Sequence, residues 1–286
     1  MNTSTIKKVL ITGAAGFTGT HLTSLLSKEE GSELCCAGLG EHLPKGFVRC
    51  DFSDASLVRT LIADFKPTKI YHLVGSYTNR FETDFVTNVT STRNILETIR
   101  ELSLSCRVLL VGSAAEYGFP TNPDVGVRED EPLAPVSIYG MVKVFQTKLM
   151  ETFVRMYGLD IVEVRPFNLS GTHMPRVLFI GSMEAQIQKY KSGELKEVVT
   201  GDLSVERDYI DIEAAAEYYR TVMERGTAGE VYNVGSGTGV SLRSVLESMV
   251  EKAGLTMDIV RESTHETPGK IVVPKIFADI SKLHSL

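Results

Sequence analysis

No run of apolar residues in this 286-residue sequence approaches the length needed to cross a bilayer. Met1–Lys8 also lacks the apolar segment and cleavage site of a secretory signal, so a cytoplasmic protein with no membrane partner is expected. Positive charge is in short supply. With 30 Lys and Arg against 36 Asp and Glu the net charge is −6, which leaves no electrostatic footprint for nucleic acid and means that an anionic ligand must be met by a local cluster of donors. Cysteine is scarce as well. Cys35, Cys36, Cys50 and Cys106 show neither C-x-x-C spacing nor a companion histidine pattern, so no metal site and no redox dithiol is expected. Three of them fall in strand-like runs and read as small buried residues.

What is present is 43% hydrophobic residues, enough for a sizeable core. The runs Lys7–Thr12, Glu33–Gly38, Phe47–Cys50, Lys69–Val74, Arg107–Gly112 and Asp160–Arg165 are too short for helices and read as strands. Between them Phe17–Lys28, Asp54–Phe65, Asp84–Leu102 and Ile138–Tyr157 carry apolar residues at helical spacing. Strand alternating with helix implies an α/β fold, a doubly wound parallel sheet covered on both faces. Past Arg165 the rhythm breaks. A loop over Asn168–Pro175 leads to helical Met183–Lys191, a short strand at Val198–Thr200 and the run Arg207–Asp211. Helical Ile212–Arg225 and Leu242–Ala253 then flank a strand at Glu230–Val234. We read residues 1–166 as an NAD(P)-binding domain of Rossmann type, and 167–286 as a smaller substrate-binding lobe interleaved with the last strands of the sheet.

The cofactor assignment rests on Gly13, Gly16 and Gly19, which lie where the first strand turns into the first helix. Gly13 permits the tight turn, Gly16 lets backbone N–H groups approach a pyrophosphate, and Gly19 lets the helix pack on the strand with its positive end toward the phosphates. NAD would want an acid at the end of the second strand, and NADP an arginine nearby. That strand ends Ala37-Gly38-Leu39-Gly40, then Glu41, so both cofactors stay open. Asp51, after the third strand, suits either the adenine amino group or the cap of the next helix.

Tyr139 and Lys143 begin a helical run and lie one turn apart on one face. A nearby cation is expected to draw the phenol's pKa down from about 10 toward working pH, so that the tyrosine can pass a proton to a carbonyl oxygen. Ser113 follows the apolar strand Arg107–Gly112, at the carboxyl end where doubly wound sheets bind ligands, and could hold the substrate oxygen.

Together, Gly13-x-x-Gly16-x-x-Gly19, Asp51, Tyr71-His72-Leu73, Thr87-Asn88-Val89, Ser113 with Tyr117-Gly118, and Tyr139-x-x-x-Lys143 resemble the extended short-chain dehydrogenase/reductase family over nearly the whole chain. Arg165-Pro166-Phe167-Asn168, Arg207-Asp208-Tyr209-Ile210-Asp211 and Val231–Gly237 look like its nucleotide-sugar branch, nearest to GDP-4-keto-6-deoxymannose reductases. The resemblance implies that Ser113, Tyr139 and Lys143 are catalytic. It implies cofactor contacts for Gly13, Gly16, Phe17, Gly19, Asp51, Phe52, Leu73, Asn88, Tyr139 and Lys143. Ser113, Asn168 and Arg207 would contact a nucleotide-sugar substrate, Arg207 through its diphosphate. A homodimer is implied, packed through helices near Asp84–Leu102 and Ile138–Tyr157.

Four places depart from the family pattern: Val74-Gly75-Ser76, Ser170-Gly171-Thr172-His173, the stretch Thr267–Lys270, and the end at Ser281–Leu286, where relatives usually add a terminal helix. His173 could donate a proton or touch the sugar. Lys270 is the sole cation near the place of an expected arginine. Ala114 and Ala115 cannot move protons, and Glu116 is one place too late to match, so a 4,6-dehydratase is not expected. A 4-epimerase would use the same three catalytic residues, and a cofactor sensor would need none of them. The expectation is reduction of a nucleotide-linked 4-keto-6-deoxy sugar.

Overall fold

The computed structural model describes residues 6–40, 43–172, 174–263 and 271–286. Glu41, His173 and Thr267–Lys270, each singled out from the sequence, lie outside the described residues. The chain runs β1 (Lys7–Thr12), α1 (Phe17–Leu26), β2 (Ser32–Gly38), β3 (Val48–Arg49), α2 (Ala55–Phe65), β4 (Lys69–His72), α3 (Phe81–Phe85), α4 (Ser91–Glu101), β5 (Arg107–Val111), α5 (Ile138–Tyr157) and β6 (Ile161–Pro166). It continues through β7 (Asn168–Ser170), α6 (Phe179–Lys191), β8 (Val198–Thr200), β9 (Glu206–Asp211), α7 (Ile212–Arg225), β10 (Val231–Val234), β11 (Gly239–Ser241), α8 (Leu242–Lys252), β12 (Val260–Glu262), β13 (Lys275–Ile276) and α9 (Ser281–His284).

Seven parallel strands form the main sheet in the order β10-β6-β5-β4-β1-β2-β3. Successive strand residues point to opposite faces, so each apolar run feeds two cores. Val9 and Ile11 join Leu22 of α1 and Ala215, Tyr219 and Met223 of α7 on one side. Leu10, between them, joins Ile62 of α2, Ile95 and Ile99 of α4 and Met150 of α5 on the other. The second half of the chain thus lends β10 and α7 to the sheet of the first. The strand order reverses at β1, flanked by β4 and β2, and such a reversal opens a crevice at the carboxyl ends of the strands.

Beyond that end β9 organises the lobe, pairing with β11, β13 and β7. A separate core of Met183, Ile187, Val198, Leu246 and Val250 fills the lobe. Among the described residues no helix is long and apolar enough to cross a membrane.

Besides the short β11, β12, β13 and α9, which the sequence reading did not give, two expected segments take another form. Asn168–Ser170 is strand rather than loop, because it aligns with Tyr209–Asp211, a pairing across the chain that local composition does not signal. The helix expected over Asp84–Leu102 is divided by a π turn at Val86–Thr90. There the Thr92 hydroxyl donates to the Asn88 carbonyl at 2.7 Å, and the Asn88 amide donates to the Asp84 carbonyl at 2.8 Å. Wide turns of this kind concentrate at functional sites, and this one turns Asn88 fully inward.

Candidate active site

The first crevice wall is the glycine turn. Gly13 has φ +66°, and a Cβ there would lie 3.0 Å from the Leu73 and Val74 backbone. A Cβ on Gly19 would lie 2.3 Å from the Gly13 carbonyl oxygen, so α1 could not seat on β1 with any other residue. Gly16 is different. It is exposed, and its Cβ would meet only the Gly13 oxygen at 3.2 Å. The N-terminus of α1 has no side-chain cap, which leaves its first N–H groups facing that open space, the arrangement that suits a pyrophosphate. The cradle fits a dinucleotide.

Phe17 opens α1, and its ring tip is among the atoms that a Cβ on Gly171 would meet, at 3.5 Å. Leu73 donates its N–H to the Thr12 hydroxyl at 3.1 Å. Phe52 is buried in the core, so any cofactor contact it makes falls to its backbone. Asp51 does not cap α2. Asp54 does, accepting from Ser56 and Leu57, while one oxygen of Asp51 accepts from the Ser53 N–H at 2.9 Å and hydroxyl at 2.7 Å. The buried side-chain oxygen of Asn88 has no partner and would stand 2.9 Å from a Cβ on Gly75, where the Lys143 ammonium would be 3.7 Å away. Gly75, one of the departures from the family pattern, therefore lies beside two of the candidate residues.

The three catalytic candidates are brought together by α5 and the turn after β5. Ser137 caps α5 by accepting from the Gly140 N–H at 3.0 Å. A Cβ on Gly140 would fall 2.4 Å from the Ala115 carbonyl oxygen. That glycine lets α5 approach the Ser113 turn closely, which brings Ser113 near enough to the Tyr139 phenol to act on its pKa. The Lys143 ammonium lies 5.9 Å from the centre of the Tyr139 ring and donates to the Val111 carbonyl and the Gln146 side chain, both at 2.8 Å. Tyr77 packs edge-on to Tyr139 at 4.9 Å. Its loop is tied down by the buried Asp84, which accepts from the Thr78 and Asn79 N–H groups.

The expected downward shift of the phenol is not what this environment produces. Burial dominates and pushes Tyr139 up to about 12, with the Ser113 hydrogen bond pulling the other way. The same burial lowers Lys143 to about 8, opposed by the neighbouring acidic groups of Glu116, Glu163 and Asp84. A protonated phenol is what a general acid needs.

Beneath this trio lies a buried network that the sequence did not reveal. Glu116, Thr147, Glu163 and Arg165 are all withdrawn from water. Arg165 pairs with Glu116 at 3.1 Å and Glu163 at 3.3 Å. Glu116 also accepts from the Ser113 N–H at 2.8 Å, fixing the turn that presents the hydroxyl. The Thr147 hydroxyl lies 2.7 Å from a Glu116 oxygen and 2.8 Å from a Glu163 oxygen. It has one proton and can donate to only one of them. Burial and the Glu116 charge push Glu163 far above the ordinary carboxylate range, and its second oxygen has no partner. A protonated Glu163 donating to Thr147, with Thr147 donating to Glu116, satisfies the three groups with the protons available. A Glu and an Arg two apart in an otherwise apolar strand was the signal available, because β-strand period places both on one face.

On the lobe side, Asn168 donates to the Asp208 carbonyl at 3.2 Å and aligns with Tyr209, which puts it beside the strand that carries Arg207. Arg207 is half-buried. Its guanidinium donates to the Glu206 carbonyl at 2.7 Å, and among the described residues it has no carboxylate partner. Buried Asp208 accepts from Ser236 at 2.7 Å, Gly237 at 3.0 Å and Ala278 at 3.1 Å, and so locks the surrounding loops. The cysteines stay free, their thiols raised by burial: Cys35 and Cys50 to about 11 and Cys106 to about 12.

A dinucleotide cradle beside a Ser/Tyr/Lys constellation defines a nicotinamide-dependent enzyme of the doubly wound α/β class. The chain belongs to the NAD dependent epimerase/dehydratase family, which residues 9–235 match, in agreement with the resemblance read from the sequence, and its cofactor is NAD or NADP. It is 25% identical over 266 residues to GDP-6-deoxy-D-mannose reductase of Pseudomonas aeruginosa, covering 90% of this chain and 83% of that one. It is 26% identical over 263 residues to UDP-glucose 4-epimerase of Mycolicibacterium smegmatis, covering 86% and 83%. Among solved structures, RMD from Pseudomonas aeruginosa complexed with NADPH superposes with a TM-score of 0.84 at 23% identity, covering 98% of this chain and 91% of that one.

Proposed function

We propose that the protein reduces a nucleotide-linked 4-keto-6-deoxy sugar to its 4-hydroxy product. The single observation that carries this is the juxtaposition of Tyr139 and a buried Lys143 on α5 with the Ser113 turn at the carboxyl end of the sheet. Residues 1–166 hold the cofactor through Gly13, Gly16, Phe17, Gly19, Asp51, Phe52, Leu73 and Asn88. Residues 167–286 hold the sugar nucleotide through Asn168 and Arg207. Bound nicotinamide supplies hydride to the carbonyl carbon. Ser113 polarises the carbonyl oxygen, Tyr139 gives it a proton as negative charge develops, and Lys143 keeps a positive charge close by and orients the ribose. Arg207 pairs with the diphosphate. Ala114 and Ala115 offer no group for dehydration, and Glu116 is turned into the core.

The relatives at similar identity carry reductase and epimerase names, and a 4-epimerase would use the same three residues. The reductase is preferred because the lobe motifs resemble that branch. We further propose a cytoplasmic homodimer. Phe81 and Phe145 are 40% and 44% exposed and flank Phe85 in an aromatic cluster on α3 and α5, an apolar patch suited to a second copy.

Tyr139→Phe keeps the ring and removes the transferable proton. It should lower kcat by roughly two to four orders of magnitude and leave cofactor affinity nearly unchanged. Full activity in this variant would remove Tyr139 from the role of acid.

A further inference from the structure

Ala37 and Gly38 close β2 and Leu39 and Gly40 follow, none of them a carboxylate for a ribose diol; Glu41, next in the chain, lies outside the described residues. What does stand there comes from another strand. β3 pairs with β2 in parallel, Ala37 opposite Val48 and Gly38 opposite Arg49. Arg49 is exposed, and its guanidinium folds back to the loop after β2, donating to the Gly40 carbonyl at 3.2 Å. Among the described residues Arg49 has no carboxylate partner, and Asp51, two positions on, is engaged by Ser53.

A cation at the end of the second strand of a dinucleotide fold meets the position of the adenosine ribose, where NAD carries a hydroxyl and NADP a phosphate. A carboxylate would accept from the hydroxyl and repel the phosphate; a guanidinium does the reverse, offering paired N–H groups to phosphate oxygens. We propose that Arg49 is the 2′-phosphate site of the cofactor and makes this protein selective for NADP(H). The selectivity rests on the cradle at Gly13–Gly19 but is a separate property of this chain, because the family includes users of either form. Gly40, whose carbonyl meets Arg49, is exposed, and among the described residues a Cβ there would meet the Leu43 side chain at 3.2 Å.

The test is equilibrium binding of NADPH and NADH, followed by nicotinamide fluorescence, to the wild type and to Arg49→Ala and Arg49→Lys. Wild type should bind NADPH roughly ten- to hundredfold tighter than NADH, the scale of a charge-assisted contact. Arg49→Ala should erase that gap by weakening NADPH alone, and Arg49→Lys should restore part of it. The gap should also shrink with added salt, since the site is exposed. Equal affinities in the wild type, or a gap that survives in Arg49→Ala, would overturn the proposal. Loss of both cofactors in Arg49→Ala would do so too, by showing a structural role. Failure of the wild type to bind either cofactor would instead bring down the cradle, and this proposal with it.

Discussion

Arg165 and Arg207 are both drawn back from water, and only one of them is answered. Arg165 lies 2% exposed between two carboxyl groups. Burial opposes its charge, and the carboxyl groups of Glu116 and Glu163 outweigh burial and raise its pKa. Arg207 meets only a backbone carbonyl, and burial lowers its pKa. A charge held away from water without a counter-ion is costly unless a ligand supplies one. The difference separates an arginine that builds the site from one that serves it. Arg165 and Glu116 hold the turn that presents Ser113, whereas Arg207 is the residue proposed to meet an anion.

The largest expected effect that would break this comparison is on stability. Arg165→Met leaves Glu116 buried without its cation and should cost about 3–5 kcal/mol, the usual result of removing one partner from a buried pair. Denaturant titration checks it, and a cost under about 1 kcal/mol would mean that the network does not hold the turn. Arg207→Ala should show the opposite pattern. KM for the nucleotide sugar should rise roughly ten- to hundredfold while the melting temperature barely moves. A large fall in melting temperature with unchanged KM would place Arg207 with Arg165 as a structural residue.

How much of this was legible in the sequence follows the range of each interaction. The glycine turn at Gly13–Gly19 and the alternation of strand with helix are local, and glycine spacing and apolar period report them directly. Tyr139 and Lys143 share a helix, so their spacing sufficed. The Glu116–Thr147–Glu163 network joins the turn after β5, α5 and β6, and it closes only because Gly140 lets α5 meet the Ala115 carbonyl. No single segment carries that information. Arg49 was missed for a similar reason: its place beside Gly38 depends on the register of β3 against β2. The phenol's pKa was misjudged because spacing gives the neighbouring cation but not the depth of burial, which here decides the sign.

The smallest effect sharpens the comparison inside the network itself. Glu163→Gln replaces the protonated acid with a neutral amide of similar shape and should change stability by less than about 1 kcal/mol at mildly acidic pH, whereas Glu116→Gln removes a real charge from Arg165 and should cost more. The pH dependence follows from the raised Glu163 pKa. The folded state holds a proton that the unfolded chain releases above the ordinary carboxylate range, so this contribution is full in acid and is lost as pH rises toward the folded value. Wild type should therefore lose stability relative to Glu163→Gln between mildly acidic and mildly alkaline pH. Parallel stability curves would show that Glu163 is ionised throughout.

The central claim is net hydride transfer to a sugar carbonyl. It is tested most directly by mixing the purified protein with NADPH or NADH and a panel of nucleotide-linked 4-keto-6-deoxy sugars. Absorbance at the nicotinamide band is then followed while the sugars are resolved chromatographically. The reductase account predicts that each 4-hydroxy sugar formed is matched by one reduced cofactor oxidised; product formation without that consumption, or interconversion of two nucleotide sugars at constant cofactor, would contradict it.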